Sequence, residues 1–255
     1  MNNKRIIYEL IYEDGHFCLS RNFKLQKIGD LTWLLKAYNM AEIAKSIDEL
    51  VVVDASRGER NLEQFTSIVK SLSKEIFVPL TLGGGINSSK QIEMLLRSGA
   101  DKVLVNSLYQ TDPEKVFGFV KDFGQQFIVM GIDVKLDKSG NYISYFSNGS
   151  SEGKDLSQLI EDNYQENAGE ILIKSIDRDG TGQGLDLEIL NFVPKSLPIP
   201  LILAGGTGKG EHISAALQCE EVSAVATSNL LNFIGDGLYR AREEVMKGGT
   251  ELPVF

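Results

Sequence analysis

The pattern that most restricts the fold of this chain is an alternation of short apolar segments with helical segments, in which eight apolar segments occur. These segments are rich in β-branched residues, which is typical of buried strands. Helical patterns between most of them predict a parallel sheet, and eight strands in 255 residues favour closure as a single (β/α)8 TIM barrel of class α/β. The predicted strands cover residues 5–11, 49–54, 78–82, 102–105, 126–133, 171–174, 200–204 and 222–226.

The segments between the strands predict no interdomain linker. Residues 31–45 are predicted as one amphipathic helix, with a polar loop over 23–30 before it. Residues 137–151 are polar and rich in Gly, Ser and Asn, and are predicted as one long loop. The chain is therefore expected to form one domain over residues 1–255.

The chain also repeats itself. Gly83–Gly85 after the third strand is matched by Gly205–Gly208 after the seventh, and the first glycines are 122 positions apart. Asn106–Ser107 after the fourth strand is matched by Thr227–Ser228 after the eighth, 121 positions later. Two matching pairs at nearly one spacing predict a barrel built from two duplicated half-barrels, about 1–122 and 123–255.

These repeated turns are suited to binding anions. A glycine-rich turn lets backbone N–H groups approach a phosphate closely, and a following helix N-terminus adds a favourable dipole. A hydroxyl group at the next strand end supplies a further donor. The pattern predicts two phosphate sites facing each other across the barrel mouth, and a ligand with phosphates at both ends or a pyrophosphate plus another anion. The alternative is that the glycines only provide tight turns with positive φ.

Two carboxylates lie where the chemistry of such a barrel is expected. Asp133 ends the fifth strand, and Asp179 lies in the polar turn of the stretch EILIKSIDRDGTGQG, residues 170–184. A carboxylate at the end of an apolar strand is costly unless it is paired or used, so Asp133 is the first candidate for a general base. It could instead cap a loop or pair with Lys135, and Asp179 could simply form a turn.

Composition excludes several other functions. The formal charge of −9 argues against nucleic acid or an anionic membrane as the main partner. Cys18 and Cys219 form no disulfide framework, and with His16 and His212 they form no metal-binding pattern. We expect no cofactor and no metal, and the absence of a signal sequence or a long apolar run predicts a cytoplasmic location.

Several motifs in order carry a resemblance to a known family. They are KRII, DELV, PLTLGGGI, GADKV with NS, FGQQ with IDVK, GEILIKSIDRDGTGQG, AGGTGK and ATSNL. The chain resembles the cyclase subunit (HisF family) of imidazole glycerol phosphate synthase, a duplicated TIM barrel. The resemblance implies an enzyme that receives ammonia from a separate glutaminase subunit in a heterodimer. It adds that ammonia to a phosphorylated small molecule, with two aspartates as acid and base.

The resemblance also assigns roles to individual residues. Asp133 matches the catalytic aspartate on the fifth strand, and Asp179 is the second catalytic candidate. At the N-terminal face, where the glutaminase would dock, the family has four charges that gate an ammonia channel; these could alternatively only plug the barrel. The phosphate-site matches are Gly85, Asn106 and Ser107 on one side and Asp179, Gly180, Gly206, Thr227 and Ser228 on the other, and the gate matches are Arg5, Glu49, Lys102 and Glu170.

The chain departs from the family at four positions near the predicted site. The aspartate of the first strand is Ile11 here, and a cysteine two residues before it is Glu9. A substrate-contacting lysine is Leu19, and a threonine at the end of the sixth strand is Lys174. Because isoleucine cannot transfer a proton, we expect altered catalysis, with Glu9 and Lys174 as the altered site.

These departures lead to three functional hypotheses. The first is a paralogue that delivers ammonia to a different acceptor, since a branch of the family lacking the strand-one acid is associated with acetamidino formation on nucleotide sugars in surface-polysaccharide biosynthesis. The second is a cyclase subunit of histidine biosynthesis with an altered first strand. The third is a non-catalytic ammonia conduit.

Overall fold

The strands and helices alternate along the chain as the sequence predicts. A computed structural model of the protein describes residues 4–228 and 237–253, so Asn229 and Leu230 of the ATSNL motif lie outside the described residues. The elements are β1 (Arg5–Glu13), β2 (His16–Arg21), β3 (Lys24–Gly29), α1 (Leu31–Ala37), α2 (Met40–Ala44), β4 (Glu49–Asp54), α3 (Leu62–Leu72), β5 (Leu80–Gly83), α4 (Ser89–Arg97), β6 (Lys102–Val105), α5 (Leu108–Thr111), α6 (Pro113–Phe123), β7 (Ile128–Leu136), β8 (Tyr142–Phe146), β9 (Ser151–Asp155), α7 (Leu156–Asn163), β10 (Glu170–Ser175), β11 (Leu201–Ala204), α8 (Gly210–Leu217), β12 (Val222–Thr227) and α9 (Gly237–Lys247), with short 3-10 helices at Gln125–Phe127 and Leu187–Phe192.

Eight of these strands close into a parallel barrel. Their order is β1, β4, β5, β6, β7, β10, β11 and β12, and the last pairs with the first. The two proposed halves meet where β6 pairs with β7 and where β12 pairs with β1. Within the second half β7 pairs with β10, and Asp133 is in register with Lys174. The predicted (β/α)8 barrel is confirmed.

The buried apolar side chains form two separate clusters because strand residues alternate between the two faces. The larger cluster lies between the barrel and its helices. The smaller cluster fills the barrel interior with a mixture of branched and very small side chains. Its buried members are Ile7, Val51, Val129, Leu172, Ile202, Ala204, Ala224 and Ala226.

Three local predictions were wrong. Residues 24–29 are not loop but form strand β3, which pairs with β2 in an antiparallel hairpin. The predicted helix over 31–45 is two helices, because Tyr38 is extended and the Asn39 side chain accepts the N–H of Glu42 to begin the second one. The predicted loop over 137–151 contains β8 and leads into β9, with β8 antiparallel to β7.

The first strand of each proposed half-barrel carries the same kind of extension. Strand β1 continues into the β2–β3 hairpin, and β7 continues into β8 and β9. This likeness supports the duplication, which stays a prediction. Across the described ranges, no helix has the length and apolar character needed to span a membrane.

Candidate functional site

A cavity of about 460 Å³ opens at the C-terminal ends of the barrel strands. This is the edge where parallel barrels place their ligand-binding loops. The hairpin β2–β3, the loop after β4 and residues 147–150 contribute to its walls. The predicted or altered site residues among its lining are Glu9, Ile11, Gly85, Asn106, Ser107, Asp133 and Lys174, and Leu19 is absent from it.

Asp133 lies in this cavity with its carboxylate held from one side. The side-chain amide of Asn106 donates a hydrogen bond to Asp133 Oδ2 at 2.9 Å. Burial raises the pKa of Asp133 to about 7, with Lys174 opposing that shift and Glu9 adding to it. A carboxylate with a pKa near neutrality is well matched to general-base catalysis at physiological pH. Asp133 does not pair with Lys135, the alternative that the sequence left open. Lys135 Nζ instead lies over the Tyr145 ring, 4.9 Å from its centroid.

The two residues of the predicted altered site, Glu9 and Lys174, form a buried ion pair with each other. Lys174 Nζ donates to Glu9 Oε1, and the two side chains are only 11% and 4% exposed. Burial alone would lower the pKa of Lys174, but Glu9, Asp179 and Asp133 outweigh it and raise that pKa. Lys174 is therefore a stable cation next to Asp133, and Glu9 and Lys174 each compensate the buried charge of the other.

Asp179 holds the β2–β3 hairpin against the loop after β10. Its Oδ2 accepts hydrogen bonds from the Ser20 hydroxyl at 2.5 Å and from the Phe23 N–H at 3.1 Å. Its backbone carbonyl accepts the N–H of Asn22 at 2.9 Å. Gly180 is required beside it, because it has a φ of +67° and a Cβ there would lie 2.0 Å from the Ser20 carbonyl oxygen. These contacts give Asp179 an anchoring role, and its catalytic role stays a prediction.

A smaller pocket lies on the other side of Glu9, at the ends of β10, β11 and β12. The hydroxyl oxygen of Thr207 is buried in it without a hydrogen-bond partner among the described residues. An unsatisfied buried donor is costly, and a bound anion would satisfy it. The predicted residues that this pocket brings together are Asp179, Gly180, Gly206, Thr227 and Ser228.

The other predicted phosphate residues lie in the large cavity, together with two arginines that the sequence analysis missed. Gly85 has a φ of +61°, and a Cβ at this position would lie 2.6 Å from the nearer Arg60 guanidinium nitrogen. Arg57 also lines the cavity and donates to the Phe23 carbonyl at 2.9 Å. Guanidinium groups beside a glycine turn favour phosphate oxygens, which supports the predicted anion site. Arg57 and Arg60 both follow closely after the second predicted strand. Two basic residues at such a strand end are a sequence signal that could have identified them as candidates for anion binding.

The four predicted gate residues meet at the opposite, N-terminal end of the barrel, and we call them the charged ring (Arg5, Glu49, Lys102 and Glu170). Arg5 lies 2.8 Å from Glu49 and 3.3 Å from Glu170. Lys102 lies 3.0 Å from Glu49 and 3.1 Å from Glu170, so each cation contacts both carboxylates. The hydroxyl of Thr81 donates to Glu49 at 2.6 Å, a contact that sequence reasoning missed. The gating role of the ring stays a prediction.

The charged ring, the interior apolar cluster and the cavity follow one another along the barrel axis. Alternate residues of β1 are Arg5 in the ring, Ile7 in the cluster and Glu9 in the cavity lining. On β10 the same order is Glu170, Leu172 and Lys174. The strand period of two therefore places one residue of each of these strands in each layer.

We expect Gly206→Ala to weaken anion binding in the smaller pocket. Gly206 has a φ of +105°, and a Cβ would lie 2.2 Å from the Gly184 carbonyl oxygen, so the turn has to move. Titration with inorganic pyrophosphate, followed by calorimetry, should give at least a tenfold weaker Kd, about 1.4 kcal/mol. Gly118→Ala is the control, since a Cβ at Gly118 would have no neighbouring atom within 4 Å. Equal pyrophosphate affinity in both variants would contradict the anion site.

Comparison with known proteins places the chain in a family. The family described as histidine biosynthesis protein matches residues 22–233. A protein of Parasynechococcus marenigrum (strain WH8102), provisionally named imidazole glycerol phosphate synthase subunit hisF2, is 43% identical over 248 residues, which cover 97% of this chain and 92% of that protein. The HisF subunit of imidazole glycerol phosphate synthase of Trichormus variabilis is 36% identical over 238 residues, 91% of each chain, and that of Streptococcus sanguinis is 30% identical over 256 residues, 100% of each. The chain therefore belongs to the histidine biosynthesis protein family, among the relatives of the HisF cyclase subunits of imidazole glycerol phosphate synthase.

Proposed function

We propose that this protein is the cyclase-type synthase subunit of a glutamine amidotransferase. It receives ammonia from a glutaminase subunit at the N-terminal face of the barrel and delivers it to a phosphorylated acceptor in the C-terminal cavity. The observation that carries this proposal is the axial order of charged ring, apolar interior and cavity with Asp133. Neutral ammonia can cross an apolar interior at a far lower cost than a charged ion can.

The acceptor we propose is a nucleotide sugar that carries an acetamido group. Ile11 lines the cavity where the family has an acid, which removes a proton donor that imidazole ring closure would use. Ammonia would add to the carbonyl carbon of the acetamido group, and loss of its oxygen as water would leave an acetamidino group. The carboxylates of Glu9, Asp133 and Asp179 support this choice because an amidinium product is cationic. The pyrophosphate of a nucleotide sugar suits the anion sites.

The second candidate is the activity of the relatives themselves, cyclase chemistry in histidine biosynthesis. It is favoured by the family and by the presence of both sets of phosphate-site residues in the two pockets. The third candidate, a non-catalytic conduit, would need neither anion sites nor a carboxylate with a near-neutral pKa.

Two assays separate these candidates. In the first, the purified protein is incubated with ammonium chloride and UDP-N-acetylglucosamine or another acetamido nucleotide sugar, and mass spectrometry measures the product. Amidation lowers the product mass by about 1 Da, because an oxygen is exchanged for an NH group. In the second, the gene is introduced into a histidine auxotroph that lacks its cyclase subunit. Rescue of growth without amidated product would favour the cyclase and would contradict the nucleotide-sugar proposal.

The glutaminase surface makes a separate prediction. Phe77 lies between α3 and β5 at the N-terminal end of the barrel, and its side chain is 89% exposed. A large aromatic residue exposed in this way is typical of an interface anchor. We expect Phe77→Asp to weaken binding of a co-purifying glutaminase at least tenfold, measured by calorimetry, because a carboxylate would be buried in the interface.

Leu136→Asp provides the matched control for this experiment. Leu136 ends strand β7 on the cavity side of the barrel and is 51% exposed. The Leu136→Asp variant should bind the glutaminase as tightly as the unmodified protein does. Loss of binding in Leu136→Asp, with normal binding in Phe77→Asp, would place the partner at the wrong face for an axial ammonia path.

A further inference from the structure

The buried pair of Glu9 and Lys174 lies across the barrel interior and not between neighbouring strands. Strands β11 and β12 separate β10, which carries Lys174, from β1, which carries Glu9. These two intervening strands contribute Ala204 and Ala226 to the interior cluster. Such small side chains leave space in which a long lysine and a glutamate can meet. The pair is therefore part of how the whole interior is packed.

The position of the pair relates it to the reacting part of the cavity. Glu9 lines both pockets, so it lies between the two anion sites. An acceptor that occupied both sites would pass over the pair. Lys174 is in register with Asp133 on the adjacent strand, and both line the large cavity. No other lysine lines this cavity among the described residues.

We propose that Glu9 and Lys174 are a positioning pair for Asp133: the Lys174 ammonium stabilises the carboxylate form of Asp133, and Glu9 fixes where that ammonium lies. This inference rests on the proposed function, in which Asp133 is the general base. It assigns to these two residues a role in setting the protonation state of Asp133, which lies within β7. Lys174 and Asp133 would then take the place of the two catalytic aspartates that the family resemblance implies.

The charges around Asp133 decide the direction of this effect. Lys174 lowers the pKa of Asp133, whereas Glu9 and Asp179 raise it. Without Lys174, two carboxylates would face Asp133 in a buried site with no lysine beside it, and the proton would be held more tightly. The groups that face Asp133 are Lys174 from β10, Glu9 from β1, Asp179 from the loop after β10, Asn106 from β6 and Tyr145 in register on β8, with Asp54, Arg57 and Arg60 in the same cavity.

The test is a ¹³C NMR titration of the aspartate carboxyl groups in the full chain, with the Asp133 signal assigned by its absence in Asp133→Asn. Lys174→Met combined with Glu9→Gln removes both charges without leaving an unpaired buried carboxylate. We expect the titration midpoint of Asp133 to rise, because Lys174 lowers the pKa of Asp133 by more than Glu9 raises it. The rise should be smaller than in a variant whose pair is reversed, since loss of Glu9 offsets part of the loss of Lys174. Lys174→Arg retains the cation and should keep the midpoint within about half a unit of the unmodified protein.

A reversed pair separates positioning from simple packing. Glu9→Lys with Lys174→Glu keeps the ion pair but moves the ammonium from the neighbour of Asp133 to β1. The midpoint of Asp133 should rise by about one unit or more, because a carboxylate replaces the neighbouring ammonium. The ammonium-dependent pH–rate profile should shift upward by the same amount. If Asp133 titrates unchanged in the reversed and the neutral variants, the positioning role is overturned and the pair only fills the barrel.

These readouts keep the inference distinct from the proposed function. A shifted Asp133 midpoint in protein that amidates no acceptor would support the pair and contradict the proposed activity. If the unmodified protein amidates the acceptor but the Asp133 midpoint is unshifted in the variants, the proposed activity is supported and the positioning role of the pair is contradicted.

Discussion

Replacing Asp133 by Asn is expected to lower the ammonium-dependent turnover by about 10²- to 10⁴-fold, which is the usual loss on removing a general base. The amide keeps the size of the side chain and can still contact Asn106, but it cannot accept a proton at neutral pH. The measurement is kcat with saturating ammonium chloride, so that the supply of ammonia by a glutaminase does not enter the result.

The pH dependence gives this prediction a second readout. Because the pKa of Asp133 is raised to about 7, the unmodified protein should gain activity as the pH rises through 7, when the carboxylate forms. The residual activity of Asp133→Asn should lack this rising limb. Asp162→Asn is the control, since Asp162 is paired with Lys154 at the surface. Full activity in Asp133→Asn would contradict its role as the base.

The same substitution is expected to change stability in the opposite direction. A carboxyl group with a raised pKa in the folded state binds more protons there than in the unfolded chain, so stability falls as the pH rises from about 4 to 7. Asp133→Asn removes this pH-dependent loss of stability. Its free energy of unfolding should exceed that of the unmodified protein at pH 8, and the difference should shrink near pH 4.

Replacing Glu49 by Ala is expected to lower the free energy of unfolding by about 3–5 kcal/mol, the range for breaking a buried ion pair by removing one partner. Glu49 is 2% exposed and receives contacts from Arg5, Lys102 and Thr81. Without it, two cations at the barrel floor share only Glu170. Denaturant unfolding at pH 7 measures the change.

Glu42→Ala is the matched control for the charged ring. Glu42 pairs with Lys45 at the surface, with both side chains more than half exposed, so its loss should cost less than about 1 kcal/mol. If Glu49→Ala is as stable as Glu42→Ala, the four charges are not the tightly coupled ring that the distances describe.

The sequence predicted the barrel because its signals are local and repeated. Strand β4 has the predicted bounds, since it combines a clear apolar pattern with a clear end. The break at Asn39 was missed because an amphipathic pattern continues through it, and only the cap geometry divides the helix.

The site was predictable where one residue type at one strand end carries the chemistry. The glycine turns and Asp133 are of this kind, and the structure brings them to the two pockets. The contact of Asp179 with Ser20 was not predictable, because 159 residues separate them in the chain and β2–β3 was partly taken for a loop. The pairing of Glu9 with Lys174 likewise depends on the alanines between their strands, a property of the assembled interior.

The most direct test of the central claim is the source of the nitrogen in the product. The protein and a co-purifying glutaminase are given glutamine labelled with ¹⁵N in the amide group, together with an excess of unlabelled ammonium chloride and an acetamido nucleotide sugar. If ammonia crosses the barrel from the charged ring to Asp133, mass spectrometry will find the label enriched in the amidated product above the level in free ammonium. Equal labelling of product and free ammonium would mean that the ammonia reaches the acceptor through solvent, and the axial path would be wrong.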